Sequence, residues 1–250
     1  MIDPKIQCWL IFLLQIIGYA AVIGLILTGS ALLIGITILI WLVITWGGIS
    51  LGYHRYLSHS SYDLPGWMEM ILTFLGILTG QGSSIGWVAM HLDHHAYSDQ
   101  PRDPHSPQDG WIRATLLSSF RIPSFRRASR LLRSPFHTWI HKHYWPILLG
   151  VSLMVIALFG PLGLLCWLAA IGMCWISVNT VNTVNHVRRL GYRNHDTKDN
   201  SVNINWLWWL NFGEALHNNH HARPKAWDFR SRAGEIDLSA WSIKWLRKLA

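Results

Sequence analysis

The chain holds 250 residues, 51% of them apolar and only 14% charged, with a mean hydropathy of +0.23. This is more apolar and far less charged than an ordinary soluble domain, and it points to a membrane protein. The net charge of +8 follows from basic loops on one side of a membrane and calls for no nucleic acid partner, while Cys8, Cys166 and Cys174 fall in apolar stretches without a CxxC pair, which argues against a disulfide framework or an iron–sulfur cluster.

Residues 6–28 form an uncharged, mostly apolar run, and after Thr28-Gly29-Ser30 a second run covers 31–52. Each is long enough to cross a bilayer, and together they read as a helical hairpin. A cleaved signal peptide does not fit the first run, which is too long and is followed at once by another. The stretch from Trp67 to Gly80 is apolar but short and carries Glu69, which suits an interfacial or cap-buried helix. A second hairpin is expected over 145–160 and 162–184, broken at Gly160-Pro161-Leu162-Gly163, with Tyr144 and Trp145 at the membrane boundary. Of the 21 Lys and Arg, one is Lys5, nine lie between Arg55 and Lys142, and eleven lie between Arg188 and Lys248. None is left for the hairpin turns, so the positive-inside rule puts both termini in the cytoplasm, with the polar segments 53–144 and 185–250. Arg113, Arg121, Arg126, Arg127, Arg130 and Arg133 either follow from this topology or attract an anionic partner such as lipid phosphate, coenzyme A or an acidic carrier protein. No internal repeat divides the chain. The expected architecture is one all-α integral membrane domain over 1–250, a stem of four transmembrane helices under a cytoplasmic helical cap. The amino terminus has no transit-like character, and the expected location is a bacterial plasma membrane.

Three histidine clusters stand out: His54 and His59 in HRYLSH, His91, His94 and His95 in HLDHH, and His217, His220 and His221 in HNNHH. With 14 His in 250 residues, one HxxHH arises by accident in about 4% of such chains, so two copies point to design. On a helix, positions i, i+3 and i+4 share a face, so each triplet converges on one point. A five-residue step sets His54 and His59 about 140° apart on an α-helix, which predicts that they straddle a helix end. His186 closes the fourth run, one helical turn after Asn182, and is a ninth candidate. Nine imidazoles without nearby cysteine exceed one zinc site and fit two redox-capable metals with positions open to oxygen. Such a site is expected to be nearly all nitrogen, without the Glu-x-x-His ligands of soluble di-iron proteins. His137, His141 and His143 read as interfacial cap residues, and His105 and His195 as cap supports.

HRYLSH, HLDHHAYSD followed by Asp103-Pro104-His105, NHVRRLGYR and GEALHNNHH together resemble the membrane-bound fatty acid desaturases, in the Δ9-type acyl-CoA and acyl-lipid branch (stearoyl-CoA desaturase-like), over roughly residues 35–225. The resemblance implies a centre of two iron ions held by His54, His59, His91, His94, His95, His186, His217, His220 and His221, with Asn182 holding a metal-bound water. It implies a reaction in which O2 and two electrons remove two hydrogens from adjacent methylenes to leave a cis double bond and water. It also implies an apolar substrate tunnel whose bend is shaped by Gln81 and Trp87, with Val178 where animal members carry threonine. The family's arginine after the first His of the second box is here Leu92, and Ala215 stands where many members have glycine; both put the exact double-bond position in doubt. The substrate is then an acyl chain on coenzyme A, a membrane lipid or an acyl-carrier protein. No HPGG segment of a fused cytochrome b5 occurs, so a separate donor of ferredoxin or cytochrome b5 type is implied. Two other functions fit part of the pattern. A di-iron lipid hydroxylase or acetylenase would use the same oxidant, and a histidine-rich metal permease or sensor would use the same ligands without oxygen.

Overall fold

A computed structural model describes residues 3–249, whose regular structure is helical apart from isolated backbone pairings of Asn203 with Tyr192 and Leu216. Helix α1 (Pro4–Leu27) starts where the Asp3 carboxylate accepts the Lys5 N–H at 2.8 Å and Pro4 supplies a helical φ without wasting a donor. Gly29, at φ 63°, makes the turn, and Ser30 caps α2 (Ala31–Leu42). From there the chain continues without a break as a π-helical segment, Val43–Ser58, whose hydrogen bonds close five residues back rather than four. The second long helix is therefore Ala31–Ser58, running past residue 52 where its span was expected to end.

Next come α3 (Gly66–Leu78) and α4 (Ser84–Tyr97), the latter capped by the Ser83 hydroxyl accepting the Gly86 N–H at 3.3 Å. Two short helices, α5 (Trp111–Thr115) and α6 (Ser129–Leu132), lead to α7 (Pro135–Thr183). It begins well before the expected residue 145 because Ser134 accepts the His137 N–H and Pro135 takes the first helical position. A straight helix of 49 residues would reach about 74 Å, more than twice the hydrocarbon core of a bilayer. Gly160 breaks it with φ 67° and ψ −168°, a conformation open mainly to glycine. The two arms pack on each other, so that Ile140, Tyr144 and Leu148 share one buried cluster with Trp167, Ile171 and Trp175. Among the described residues, three helices are long and apolar enough to cross a membrane: Pro4–Leu27, Ala31–Ser58 and the broken Pro135–His186.

Tyr144 belongs to this buried cluster. Its hydroxyl accepts the Gly82 N–H at 3.0 Å. Helix α1 crosses the second arm of α7 at Gly18 and Gly172, where a Cβ on Gly18 would stand 2.9 Å from the Gly172 Cα. The cap is completed by α8 (Trp208–Asn211), α9 (His217–Ala222) and α10 (Leu238–Leu246). Several cap arginines are spent inside the chain: Arg127 pairs with Asp93, Arg130 donates to the Leu57 carbonyl at 2.8 Å, and Arg121 donates to Asp109 at 3.2 Å.

Candidate metal centre

The histidines gather from the π-helical segment, α4, the end of α7 and α9. His54, His59, His91, His95 and His220 bring donor atoms within 4.8 Å of one another, and His94, His186, His217 and His221 form a second such group. The groups abut, with the His95 and His221 rings stacked at 4.5 Å between centroids. Helix α4 divides its triplet between them, sending His91 and His95 one way and His94 the other. His54 lies in the last turns of the π-helical segment and His59 just past its end, so the two straddle a helix end as their spacing predicts. In the π-helical winding, the His59 N–H donates to the His54 carbonyl at 3.3 Å, and the two rings meet edge to face with centroids 5.0 Å apart.

The donor spacing suits metal ions. Nε2 atoms approach at 2.9 Å for His54 and His220, 2.7 Å for His59 and His91, 2.9 Å for His95 and His220, and 3.0 Å for His186 and His217. Metal–nitrogen bonds of about 2.1 Å set at right angles place neighbouring donors about 3.0 Å apart. Burial pushes His91, His95, His217 and His220 well below the ordinary imidazole pKa, and pushes His94 down to about 3 even with Asp103 beside it. The rings stay neutral, as metal ligands must.

Carboxylates behind the rings fix which nitrogen faces inward. Nδ1 donates to Glu214 from His54 at 2.5 Å, to Asp103 from His94 at 2.9 Å, to Asp99 from His186 at 2.9 Å, and to Asp199 from His221 at 2.8 Å. Each leaves a lone pair on Nε2. For His94 and His221 that Nε2 is buried with no hydrogen-bonding partner, an orphaned acceptor that an ion would satisfy. Burial would raise the Glu214 carboxyl, but Arg55 and His54 hold it at about 2; His94 and His221 hold Asp103 and Asp199 low against the same burial. Asp99 sits at φ 59°, a left-handed conformation that Asp tolerates better than most residues, and it also accepts the Asn200 N–H at 2.7 Å.

Of these four carboxylates, sequence reading singled out only Asp103. Glu214 does stand three residues before His217, so a Glu-x-x-His spacing is present after all. Its carboxylate turns instead to His54, Ser50 and Arg55, the last at 2.9 Å. Asp99 lies four residues after His95, a helical turn that would have flagged it; Asp199 carries no local signal.

A cavity of about 550 Å³ runs up to this cluster, within the usual range for small-molecule sites. Gln81, Trp87 and Val178 all line it, as do His91 and Asn182. The Trp87 indole N–H donates to Gln81 at 3.0 Å, and its ring stacks on His91 at 5.1 Å. Asn182 also borders a smaller hollow shared with His54, His94 and His217. Of the remaining histidines only His105 joins a donor group, with His94 and Asp103, among the described residues. His137 is fully buried between Ser84 at 2.9 Å and Glu69 at 2.8 Å, which corrects its interfacial reading. Its neighbour in sequence, His141, contacts Ser83 at 2.6 Å, His143 Nδ1 donates to the Trp139 carbonyl at 2.8 Å, and His195 meets Ser231 at 3.1 Å. His105 packs against His94, with ring centroids 4.3 Å apart.

A protein-family profile described as fatty acid desaturase matches residues 28–232. The chain is 34% identical to an sn-2 palmitoyl-lipid 9-desaturase of Nostoc sp. (strain 36), over 81% of this chain and 74% of the relative. It is 31% identical to an sn-1 stearoyl-lipid 9-desaturase of Anabaena variabilis, over 86% and 81%. It is 33% identical to a chloroplastic palmitoyl-monogalactosyldiacylglycerol delta-7 desaturase of Arabidopsis thaliana, over 81% and 56%.

Proposed function

The chain belongs to the fatty acid desaturase family, a family of oxidoreductases, and on that premise we propose that it inserts a cis double bond, of Δ9 type, into a saturated acyl chain carried on a membrane lipid. One observation carries the proposal: two adjoining histidine groups meet, at His91 and Asn182, a largely apolar cavity large enough for an acyl chain. His54, His59, His91, His95 and His220 would hold one iron ion and His94, His186, His217 and His221 the other, with Asn182 retaining a water beside them. Bound iron would supply, with O2 and two electrons, the oxidising power that an unactivated methylene demands.

The chain's own residues do the rest. Glu214, Asp103, Asp99 and Asp199 keep four rings in the tautomer that offers Nε2. Trp87, held by Gln81 and stacked on His91, forms cavity wall beside the donors, and with Val178 it fixes which carbon pair lies there. The relatives named above carry names for position 9 and position 7, which fits a bond position set by cavity shape. A single domain with four spans, two of them arms of α7 reversed at Gly160, would leave both termini and the cap on one side of the membrane. Electrons would come from a separate donor of ferredoxin or cytochrome b5 type.

The test is expression in a desaturase-deficient host with a competent reductase, followed by chromatographic and mass-spectrometric mapping of double bonds. Wild type is expected to give one monoenoic isomer on membrane lipid and His94→Ala none. An alcohol or alkyne would transfer the assignment to a hydroxylase or acetylenase. Identical saturated profiles from both proteins would overturn it.

A further inference from the structure

Helix α10 buries one side and leaves the other open in a particular chemical pattern. Ile243 is fully buried and joins Leu51, Tyr62 and Leu72 in one apolar cluster, with Trp46, Met68, Leu75 and Leu246 packed around it. The helix therefore lies against the end of the second long helix and against α3. The opposite face carries Trp241, Lys244 and Trp245, spaced i, i+3 and i+4, with Lys248 in the turn that follows, all exposed. Trp241 is 50% and Trp245 67% exposed, too much indole for a face meant for water. Beside it, α3 exposes Trp67, Met70, Ile71 and Phe74 at the same spacing. Lys248 Nζ lies 4.1 Å over the Trp245 ring, so cation and indole present one mixed surface.

We propose that α10 is a membrane foot: its Trp241–Trp245 face lies in the headgroup layer of the leaflet on the cap's side, with Lys244 and Lys248 on anionic lipid phosphates. Indole rings favour that layer because it is apolar on one side and wet on the other, and lysines beside them draw anionic headgroups. Continuity with the membrane-spanning helix and the apolar face of α3 selects lipid over a second protein. The foot is joined to the metal centre. Asp237 caps α10 by accepting the Ala240 N–H at 2.9 Å, and its other oxygen holds Arg55 at 2.9 Å. Arg55 holds Glu214, and Glu214 holds His54. A foot seated in the leaflet braces that chain of contacts from the lipid side.

The inference rests on the membrane placement proposed above, and one experiment separates the two. The full chain, with Cys8→Ser, is spin-labelled singly at Trp241→Cys, Trp245→Cys, Ile23→Cys on α1 or Arg230→Cys on the cap. Each is reconstituted in phosphatidylcholine vesicles with or without phosphatidylglycerol, and collision with oxygen is compared with collision with a water-soluble nickel chelate. Positions 241 and 245 are expected to fall between the membrane-buried value at 23 and the aqueous value at 230. In the phosphatidylglycerol vesicles, Lys244→Gln and Lys248→Gln are each expected to shift the immersed-to-aqueous population about fivefold toward water. Aqueous values at 241 and 245 in both vesicles overturn the foot while leaving the enzyme assignment intact. Spin–spin broadening that grows with protein density shows a second copy on this face and overturns it equally. An aqueous value at position 23 removes the membrane placement and the foot together.

Discussion

Replacing Glu214 with glutamine tests whether the histidines act as two separable metal groups. The carboxylate lies 2.5 Å from His54 Nδ1 and 2.9 Å from Arg55 Nε, both buried. Arg55 is wholly buried, and its Nη2 already lacks a partner, so Glu214→Gln leaves the guanidinium with Asp237 as its sole counter-charge. Breaking a buried pair costs about 3–5 kcal/mol, with the lower end expected because Asp237 remains. Losing the carboxylate behind a ligating imidazole costs about 10–100-fold in metal affinity, equivalent to about 1.4–2.7 kcal/mol. Only the His54 group feels that loss, since the second group rests on Asp103, Asp99 and Asp199. The assay strips the purified protein with chelator, melts the apo form, reloads iron(II) anaerobically and follows release of the two ions. Glu214→Gln is expected to lower the apo melting temperature and to release one ion fast and one at the wild-type rate. Asp99→Asn should loosen the other ion. Two ions released at the wild-type rate from Glu214→Gln, or both lost equally from a folded protein, would refute the division into two groups.

Acid should weaken the apo fold before it affects the loaded one. Burial holds His94 at about 3 in the fold against about 6.5 when unfolded, so the unfolded chain binds more protons and stability falls as pH drops below 6.5. From pH 7 to 5 His94 alone accounts for about 2 kcal/mol. Asp103, held low, stays ionised throughout that window. Melts of chelator-treated protein at pH 7, 6 and 5 check this, and a melting temperature that does not fall would contradict it. Gly86 lines the cavity, and a Cβ there meets only the Ser83 hydroxyl at 3.6 Å; Gly86→Leu is expected to keep full iron content while shifting product toward shorter acyl chains, read by lipid profiling. His137→Ala removes a buried hydrogen bond to Ser84 and a partly buried one to Glu69, and should cost about 1–3 kcal/mol in a melt with two ions still bound, unlike His94→Ala.

Part of the fold was legible because its signals are local. An apolar run of membrane length, a Gly-Pro-Leu-Gly interruption and an HxxHH triplet each announce themselves within a few residues, and the break at Gly160 falls where composition puts it. Ring placement was not legible where local geometry departs from the α-helical default. α-Helical spacing sets His54 and His59 about 140° apart across a helix end, and π-helical winding brings their rings edge to face at that end.

The sequence by itself determined the long apolar helices, the identity of nine candidate nitrogen donors and, through its four motifs, the family. Each depends on residue type and spacing along one stretch of chain. Only the tertiary structure decided how those donors divide into five and four, because the division needs a helix to send His91 and His95 one way and His94 the other. It also decided that Asp199 stands behind His221 and Glu214 behind His54. Such pairings join residues 22 and 160 positions apart in the chain, and no periodicity carries information over that distance; packing does, because a buried carboxylate must find a buried partner.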